Sequence, residues 1–447
     1  MIPTRILIPA LVMKALLLAL PAAGATTGPV SKPEGMDWPQ WRGERRDGVW
    51  REAGIRETFS SETFAQRWSV PVGPGYSGPT IAAGRVYLTD FVKDKSSERV
   101  FCLDWATGAM LWEISYECSY EEFTYEAGPR ASVTVHDGRA YALGAAGNLH
   151  CLDAVTGKVI WKRDLRSEYK IRMPKWGIAA HPIIEGDVMI TQIGGTGDAC
   201  VVAFDRKTGE ERWKAFPDEA SYAPPIVIEQ AGRRLVVMPL GFRLVAFEPA
   251  DGTLRWSHDQ PKSSWPISIP APVVQGDLMF FSTAHAGSYL FRLAQDRPAI
   301  DVVWERGRRP RSVDTLTPVI PDPLVMNGLV FGVQTDGELR GLELMTGKRL
   351  WETTDAMPKA WHATMHLIRA GETGDRAWIF TEQGNLILAR LNAEGYHELA
   401  RARLLEPTLE QGPRGRAVTW SHPAFAYRHI FARSDRELVC ADLSAAR

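Results

Sequence analysis

Cysteine is scarce in this chain. Five cysteines, Cys102, Cys118, Cys151, Cys200 and Cys440, are scattered over 447 residues. No CxxC or CxxCH occurs, which removes zinc ribbons and c-type haem attachment from consideration. The odd count leaves at least one thiol unpaired. A nucleophile elbow, a P-loop, an HExxH helix and a dinucleotide fingerprint are all missing, and with them the chemistries those motifs serve. Neither sign of charge is in excess: 52 basic residues face 53 acidic ones. A net charge of −1 gives no general affinity for nucleic acid or for an anionic membrane. Beyond the N-terminus no apolar run is long enough to span a bilayer.

What the chain does have is one sentence repeated. "GNLHCLDAVTGKVIWKRDL", Gly147–Leu165, reads as two strands around a turn. Its strand residues alternate in polarity, as a half-buried strand does. In the turn, Asp153 can bond backbone N–H groups and Gly157 can take the left-handed position. "CLDWATGAMLW", "AFDRKTGEERW", "AFEPADGTLRW" and "GLELMTGKRLW" repeat the pattern, and "RLAQDRPAIDVVW" is a degenerate copy. "RLNAEGYHELARARLLE" has lost its tryptophan. The repeat tryptophans are Trp112, Trp161, Trp213, Trp256, Trp304 and Trp351, spaced by 49, 52, 43, 48 and 47 residues. A period of that length marks a repeat architecture.

Each copy has a front half of strand, Gly turn and strand, as in "HPIIEGDVMITQ". One repeat is therefore four short antiparallel strands, and such sheets bury both faces only by packing radially. The expected fold is all-β, an eight-bladed β-propeller. Blades begin near Ser77, Ala131, Ile178, Ala223, Ile269, Leu316, Trp361 and Thr419. The last copy ends without its tryptophan strand, and "QRWSVPV" around Trp68 supplies it. The N-terminal strand is thus expected to close the ring, because an open ring exposes two sheet edges. The expected division is a signal peptide at 1–25, a lead-in segment at 26–66 and the propeller at 67–447.

The first residues carry Arg5 and Lys14 around an apolar core and end in Ala23-Gly24-Ala25. That is the pattern of a cleaved secretory signal, tidier still if translation starts at Met13. A periplasmic or secreted protein is expected, with no lipid-anchor cysteine at the cleavage site and no transmembrane segment after cleavage. Cys102, Cys151 and Cys440 occupy the slot that Ala203, Ala246 and Gly341 fill in other repeats. A slot shared by Cys, Ala and Gly wants a small packed residue, so free structural thiols are expected.

Repeats of the form G-x-L-x-C/A-L-D-x-x-T-G-x-x-x-W resemble the blades of pyrroloquinoline quinone (PQQ) dehydrogenases and of BamB-type outer-membrane assembly proteins. The likeness runs from Trp68 to Leu443, and "DWPQWRGERRDGVW" (Asp37–Trp50) looks like the start of exported PQQ-like repeat proteins. The dehydrogenase resemblance would imply PQQ in a central funnel, an adjacent Cys-Cys disulfide, a Ca²⁺ held by carboxylate and amide, and an Asp base. This chain departs from that set: it has no Cys-Cys pair, and no matching Glu/Asn/Asp set is recognisable. No catalytic residue is therefore carried over.

The candidate site is the funnel mouth, ringed by the residues that lead into each innermost strand: Tyr76, Arg130, Trp176, His181, Tyr222, Trp265, Asp314, Trp361, His362, Trp420 and His422. Such a ring of aromatics would grip a planar, carbohydrate or peptide ligand. The same rings would equally serve to pack the blades on each other. The fork of Arg130 suits either an anionic ligand or an acidic neighbour, Glu121, Glu126 or Asp314. His362 and His366 stand four apart on a strand, about 13 Å, too far for one ion. His181 and His362 lie on opposite sides of an eight-fold ring, so joint chelation with His422 is not expected. The turn acids Asp104, Asp153, Asp205 and Glu248 read as structural, "GGTGDAC" (Gly194–Cys200) reads as a hairpin loop, and Trp38, Trp41 and Arg42 as a clasp on the propeller's side.

The reading is a non-catalytic binding or scaffold propeller without a required cofactor, a monomer meeting an envelope protein or a small ligand at its funnel. The alternatives are a PQQ-dependent oxidoreductase of alcohol-dehydrogenase type with an atypical site, with Ca²⁺, and a carbohydrate-binding propeller.

Overall fold

The turn at Asp153 shows why the repeat folds as it does. Asp153 Oδ1 accepts the N–H groups of Val155 and Thr156 at 3.1 and 2.8 Å and the Thr156 hydroxyl at 2.8 Å. The Gly157 N–H returns to the Asp153 carbonyl at 2.9 Å, with φ at +71°. Asp104 and Asp205 make the same turns. Glu248 differs: it accepts Arg233 and Arg255 instead.

In the computed structural model, which describes residues 33–261, 267–284, 287–307, 314–412 and 415–445, these hairpins build eight antiparallel sheets. Blade 1 comprises Thr80–Ala82, Arg85–Val92, Ser97–Asp104 and Met110–Glu117. The innermost strands of blades 2 to 8 are Thr134–His136, Ile183–Glu185, Ile226–Gln230, Val273–Gln275, Leu324–Met326, Met365–Ala370 and Ala424–Ala426. Among the described residues the helices are one α-helix, Leu165–Tyr169, and one 3-10 turn, Lys93–Lys95, and no helix is long and apolar enough to cross a membrane. The Gly-rich Gly194–Cys200 joins two strands of blade 3, as expected of a hairpin loop.

Gln66–Pro71 is the outermost strand of blade 8, paired with Glu437–Asp442, and Trp68 stands opposite Cys440. The ring is closed by the N-terminal strand. The same register recurs: Trp112 faces Cys102, Trp161 faces Cys151, Trp213 faces Ala203, Trp256 faces Ala246 and Trp351 faces Gly341. The slot is small because the indole fills it. A Cβ on Gly341 would lie 2.4 Å from the Trp351 ring. All five cysteines are buried and free.

The tryptophans also join neighbouring blades. The Trp112 ring lies over Gly157 of blade 2, where a Cβ would sit 2.5 Å from it. Its indole N–H donates to the Ala154 carbonyl at 3.2 Å. Trp68, Trp161, Trp213, Trp304 and Trp351 reach the next blade's turn carbonyl in the same way, at 2.8 to 3.3 Å. Trp256 instead donates to Gln230. Burying an indole with its N–H bonded secures both its apolar area and its polar edge.

The lead-in segment is not a clasp on the side. It fills the channel. Trp38 pairs with Ile81 of blade 1, and the Pro39 carbonyl accepts the Val135 N–H of blade 2. Val49–Trp50 forms a parallel fifth strand on the inner edge of blade 7. Arg42 pairs with Asp322 of blade 6 at 3.3 Å. Arg46 donates to the carbonyls of Pro182 and Pro225, at 3.0 and 3.1 Å, in blades 3 and 4. The clasp expectation failed because Trp38 and Trp41 lack the repeat's turn chemistry, and nothing in sequence distinguishes an outer groove from the channel. Both are apolar and need indoles.

Candidate functional site

Above this plug lies a cup at the channel mouth, with a volume of about 160 Å³. Tyr76, Arg130, Trp176, His181, Tyr222, His362, Trp420 and His422 all line it. Eight of the expected residues are thus gathered in one place, since each blade feeds its innermost strand from the same face. Trp361 is 49% exposed and Asp314 is exposed, and neither lines the cup. Trp361 lies instead against His362, ring centroids 3.6 Å apart. Trp265 falls outside the described residues.

Besides aliphatic wall residues such as Ile269 and Val319, three ring-bearing contributors were not among the expected residues. Trp41 forms the floor, stacked on His181 at 5.5 Å, and comes from the plug, not from a blade. Tyr125 arrives on the long connection between blades 1 and 2, 5.9 Å from both Trp176 and Trp420. His366 sits in a strand, where alternation turns it inward. The unusual length of the 118–130 connection was the one available signal, for Tyr125.

The channel is narrow enough that side chains from separate blades meet. His181 and His422 have ring centroids 5.6 Å apart, and His422 and His366 6.2 Å. These side chains come from blades 3, 8 and 7 and converge on the axis. Each imidazole has its own partner. His181 Nδ1 accepts the Ser132 N–H at 2.8 Å, His422 Nε2 meets the Ser132 hydroxyl at 2.9 Å, and His366 Nε2 meets the Trp420 carbonyl at 2.9 Å. Burial holds all three neutral: His366 down to about 4, His422 to about 3, and His181 well below the ordinary value. Their neighbours add to this, His422 and Arg46 at His181, His366 and then Arg42 at His422, and Arg42 at His366.

Arg130 pairs with none of Glu121, Glu126 or Asp314. It donates to the carbonyls of Gly128 and Tyr125, the latter at 2.5 Å. Its guanidinium is boxed by Tyr76, Tyr120 and Phe123 at 5.1, 5.3 and 5.6 Å. Beneath the floor, Arg42 and Arg46 stand 5.6 and 5.2 Å from the Trp41 ring. Burial lowers Arg46 to about 9. Glu382, behind the wall, accepts the Trp420 indole N–H at 2.9 Å, and burial raises its pKa. A second cavity of about 790 Å³ adjoins the cup between blades 3 and 4 and shares Trp176 and Tyr222 with it.

Fold and site together define a PQQ-like propeller with a plugged channel. A family model described as outer membrane protein assembly factor BamB (PQQ_2) matches residues 96–353, more than half of the chain, and the chain belongs to that family. It is 37% identical over 97 residues to a quinoprotein ethanol dehydrogenase of Pseudomonas putida, a stretch covering 22% of this chain and 14% of that enzyme. It is 21% identical over 231 residues to the outer membrane protein assembly factor BamB of Moranella endobia, covering 49% of this chain and 55% of that one. The chain thus spans less than two thirds of either relative. Among solved structures, BamB from Moraxella catarrhalis superposes with a TM-score of 0.54 at 16% identity, over 85% of this chain and all of that one. A europium-containing methanol dehydrogenase gives 0.65 at 12%, over 89% and 90%. At such identities the likeness is one of fold.

The cup does not suit the cofactor that the dehydrogenase branch implies. Ca²⁺ takes six to eight oxygen ligands, and among the described residues no carboxylate or side-chain amide lines the cup. Among the described residues no three His, Cys, Asp or Glu side chains are placed to hold a metal ion. The cup is also smaller than the roughly 300–1,000 Å³ of ordinary cofactor pockets, because Trp41 occupies its floor.

Proposed function

We propose that this protein is an exported, non-catalytic propeller that binds an envelope protein or a small ligand at its funnel mouth. One observation carries the reading: among the described residues the cup is walled by aromatic rings and imidazoles, with no carboxylate to serve as base or metal ligand. General acid–base catalysis needs a group titrating near the working pH, and burial moves His181, His366 and His422 away from it. A periplasmic or secreted location follows from the signal pattern in residues 1–25, which lie outside the described residues. Thiols buried without partners tolerate an oxidising compartment. The assembly-factor relatives make an envelope protein the favoured partner.

A quinone-dependent dehydrogenase is the second reading, favoured by the 97-residue stretch shared with ethanol dehydrogenase. Titrating the protein with PQQ, with and without Ca²⁺, separates the two. Tryptophan fluorescence is followed, then dye-linked alcohol oxidation. No saturable quenching is expected at high micromolar cofactor. Calcium-dependent quenching with turnover would establish the dehydrogenase instead.

A further inference from the structure

The cup is rich in hydrogen-bond donors and poor in acceptors. Among the described residues, Arg130 contacts no carboxylate. Its two bonds go to backbone carbonyls, which leave the guanidinium charge in place, and three rings shield it from water. Two acids stand behind its rings: Glu98 accepts the Tyr120 hydroxyl, and Asp435, which accepts the Gly75 N–H, faces Tyr76. The Tyr76 hydroxyl is buried and has no acceptor; only the Ala127 N–H leans toward its oxygen. The Tyr222 oxygen accepts the Trp176 N–H at 3.3 Å, which leaves its own proton uncommitted. Neutral His181 accepts at Nδ1, so its proton stands on Nε2. Below the floor, Arg46 adds a second cation whose partners are carbonyls and the Gln40 amide. Buried donors around an unpaired guanidinium call for an anion.

The remaining surface calls for a flat apolar body. Trp41, Trp176, Tyr222 and Trp420 supply ring faces and edges, and Ile269 and Val319 complete the wall. An apolar cavity of about 150 Å³ takes one benzene ring, and this cup measures about 160 Å³. We infer that the cup selects a single-ring aromatic carboxylate, its ring laid among the tryptophans and its carboxylate turned to Arg130, Tyr76 and Tyr222. This rests on the cup being a binding site, as proposed above, and names the chemical class it takes.

The test compares acids with their uncharged amides. Benzoate and phenylacetate are titrated into the full chain at neutral pH by calorimetry and tryptophan fluorescence, beside benzamide and phenylacetamide. At least one acid is expected to bind about tenfold or more tightly than its amide, the margin of a charge-assisted hydrogen bond. Arg130→Met should abolish that margin. Because Arg130 is packed among three rings, Tyr222→Phe and Tyr76→Phe serve as gentler variants. They keep the ring and remove the donor, and each should narrow the margin severalfold with the amide affinity unchanged. Acid and amide binding equally would overturn anion selection while leaving the cup a binding site. If no ring compound binds in either form, both the inference and the small-ligand reading of the cup fall.

Discussion

A buried imidazole and a buried thiol show how position overrides residue type. Cys102, Cys151 and Cys440 are conspicuous on a cysteine-poor chain, yet each is only the small partner across from an indole. Burial pushes the Cys151 thiol up to about 12 and the others up as well, so they stay protonated and inert. The histidines carry a testable consequence. His366 and His422 are held at about 4 and 3, against about 6.5 in an unfolded chain. Below pH 6.5 the unfolded chain therefore binds protons that the fold refuses, and stability falls with acidification down to about pH 4. Each imidazole contributes a slope of up to about 1.4 kcal/mol per pH unit in that window. The carboxyls of Glu382 and Asp435, raised by burial, act in the opposite sense. In urea unfolding between pH 6.5 and 4, His366→Gln should lose stability less steeply than the parent chain. Parallel curves would mean that His366 is not held neutral.

At the scale of elements, the hairpin was legible because its turn is local chemistry. Asp at the start, Gly at the end and an indole four residues on need no distant partner to be recognised. Blade 7 shows the limit. Its outer strand, Tyr396–Arg403, has Ala400 opposite Leu388 where every other blade has a tryptophan, opposite a small residue in all but blade 5, whose Trp304 faces Leu290. The lead-in segment supplies the missing bulk. Trp50 packs 4.9 Å from Phe425 and 5.9 Å from Trp378, and Phe59 packs on Phe64 at 4.6 Å. Trp50 lies outside every repeat, yet it is 2% exposed. Trp50→Ala should cost about 3–5 kcal/mol in denaturant unfolding, as large-to-small changes in a core do. Trp361→Ala, at an exposed position, should fall within about 0.5 kcal/mol of the parent. Equal effects would contradict the packing role of Trp50.

At the scale of the whole molecule, the N-terminal region does two separable things. Gln66–Pro71 closes the ring, and residues 38–50 plug it. Removing the chain through residue 64 keeps the closing strand but takes away Trp41, Arg42, Arg46 and Trp50. That variant should elute as the parent chain does, with a lowered Tm. Removing it through residue 71 also bares the edge of Glu437–Asp442, an unpaired strand that recruits other chains. Size-exclusion chromatography should then show oligomers or aggregate for the longer deletion only. Identical elution of the two would argue that the closing strand does not hold the ring.

What the chain determined by itself was everything periodic. Eight blades, the wedge tryptophans, the small slot opposite all of them but Trp304 and the closing strand all follow from short-range patterns repeated in phase. Eight of the cup's residues were legible for the same reason, since each precedes an innermost strand. Tertiary structure alone decided the rest. Trp41 became the floor, and His181 came to face His422, because the channel axis brings residues far apart in sequence within a few ångströms. The plug itself was illegible because a buried arginine bonded to carbonyls of blades 3 and 4 leaves no mark in the sequence around it. Its partners exist only once the ring has closed.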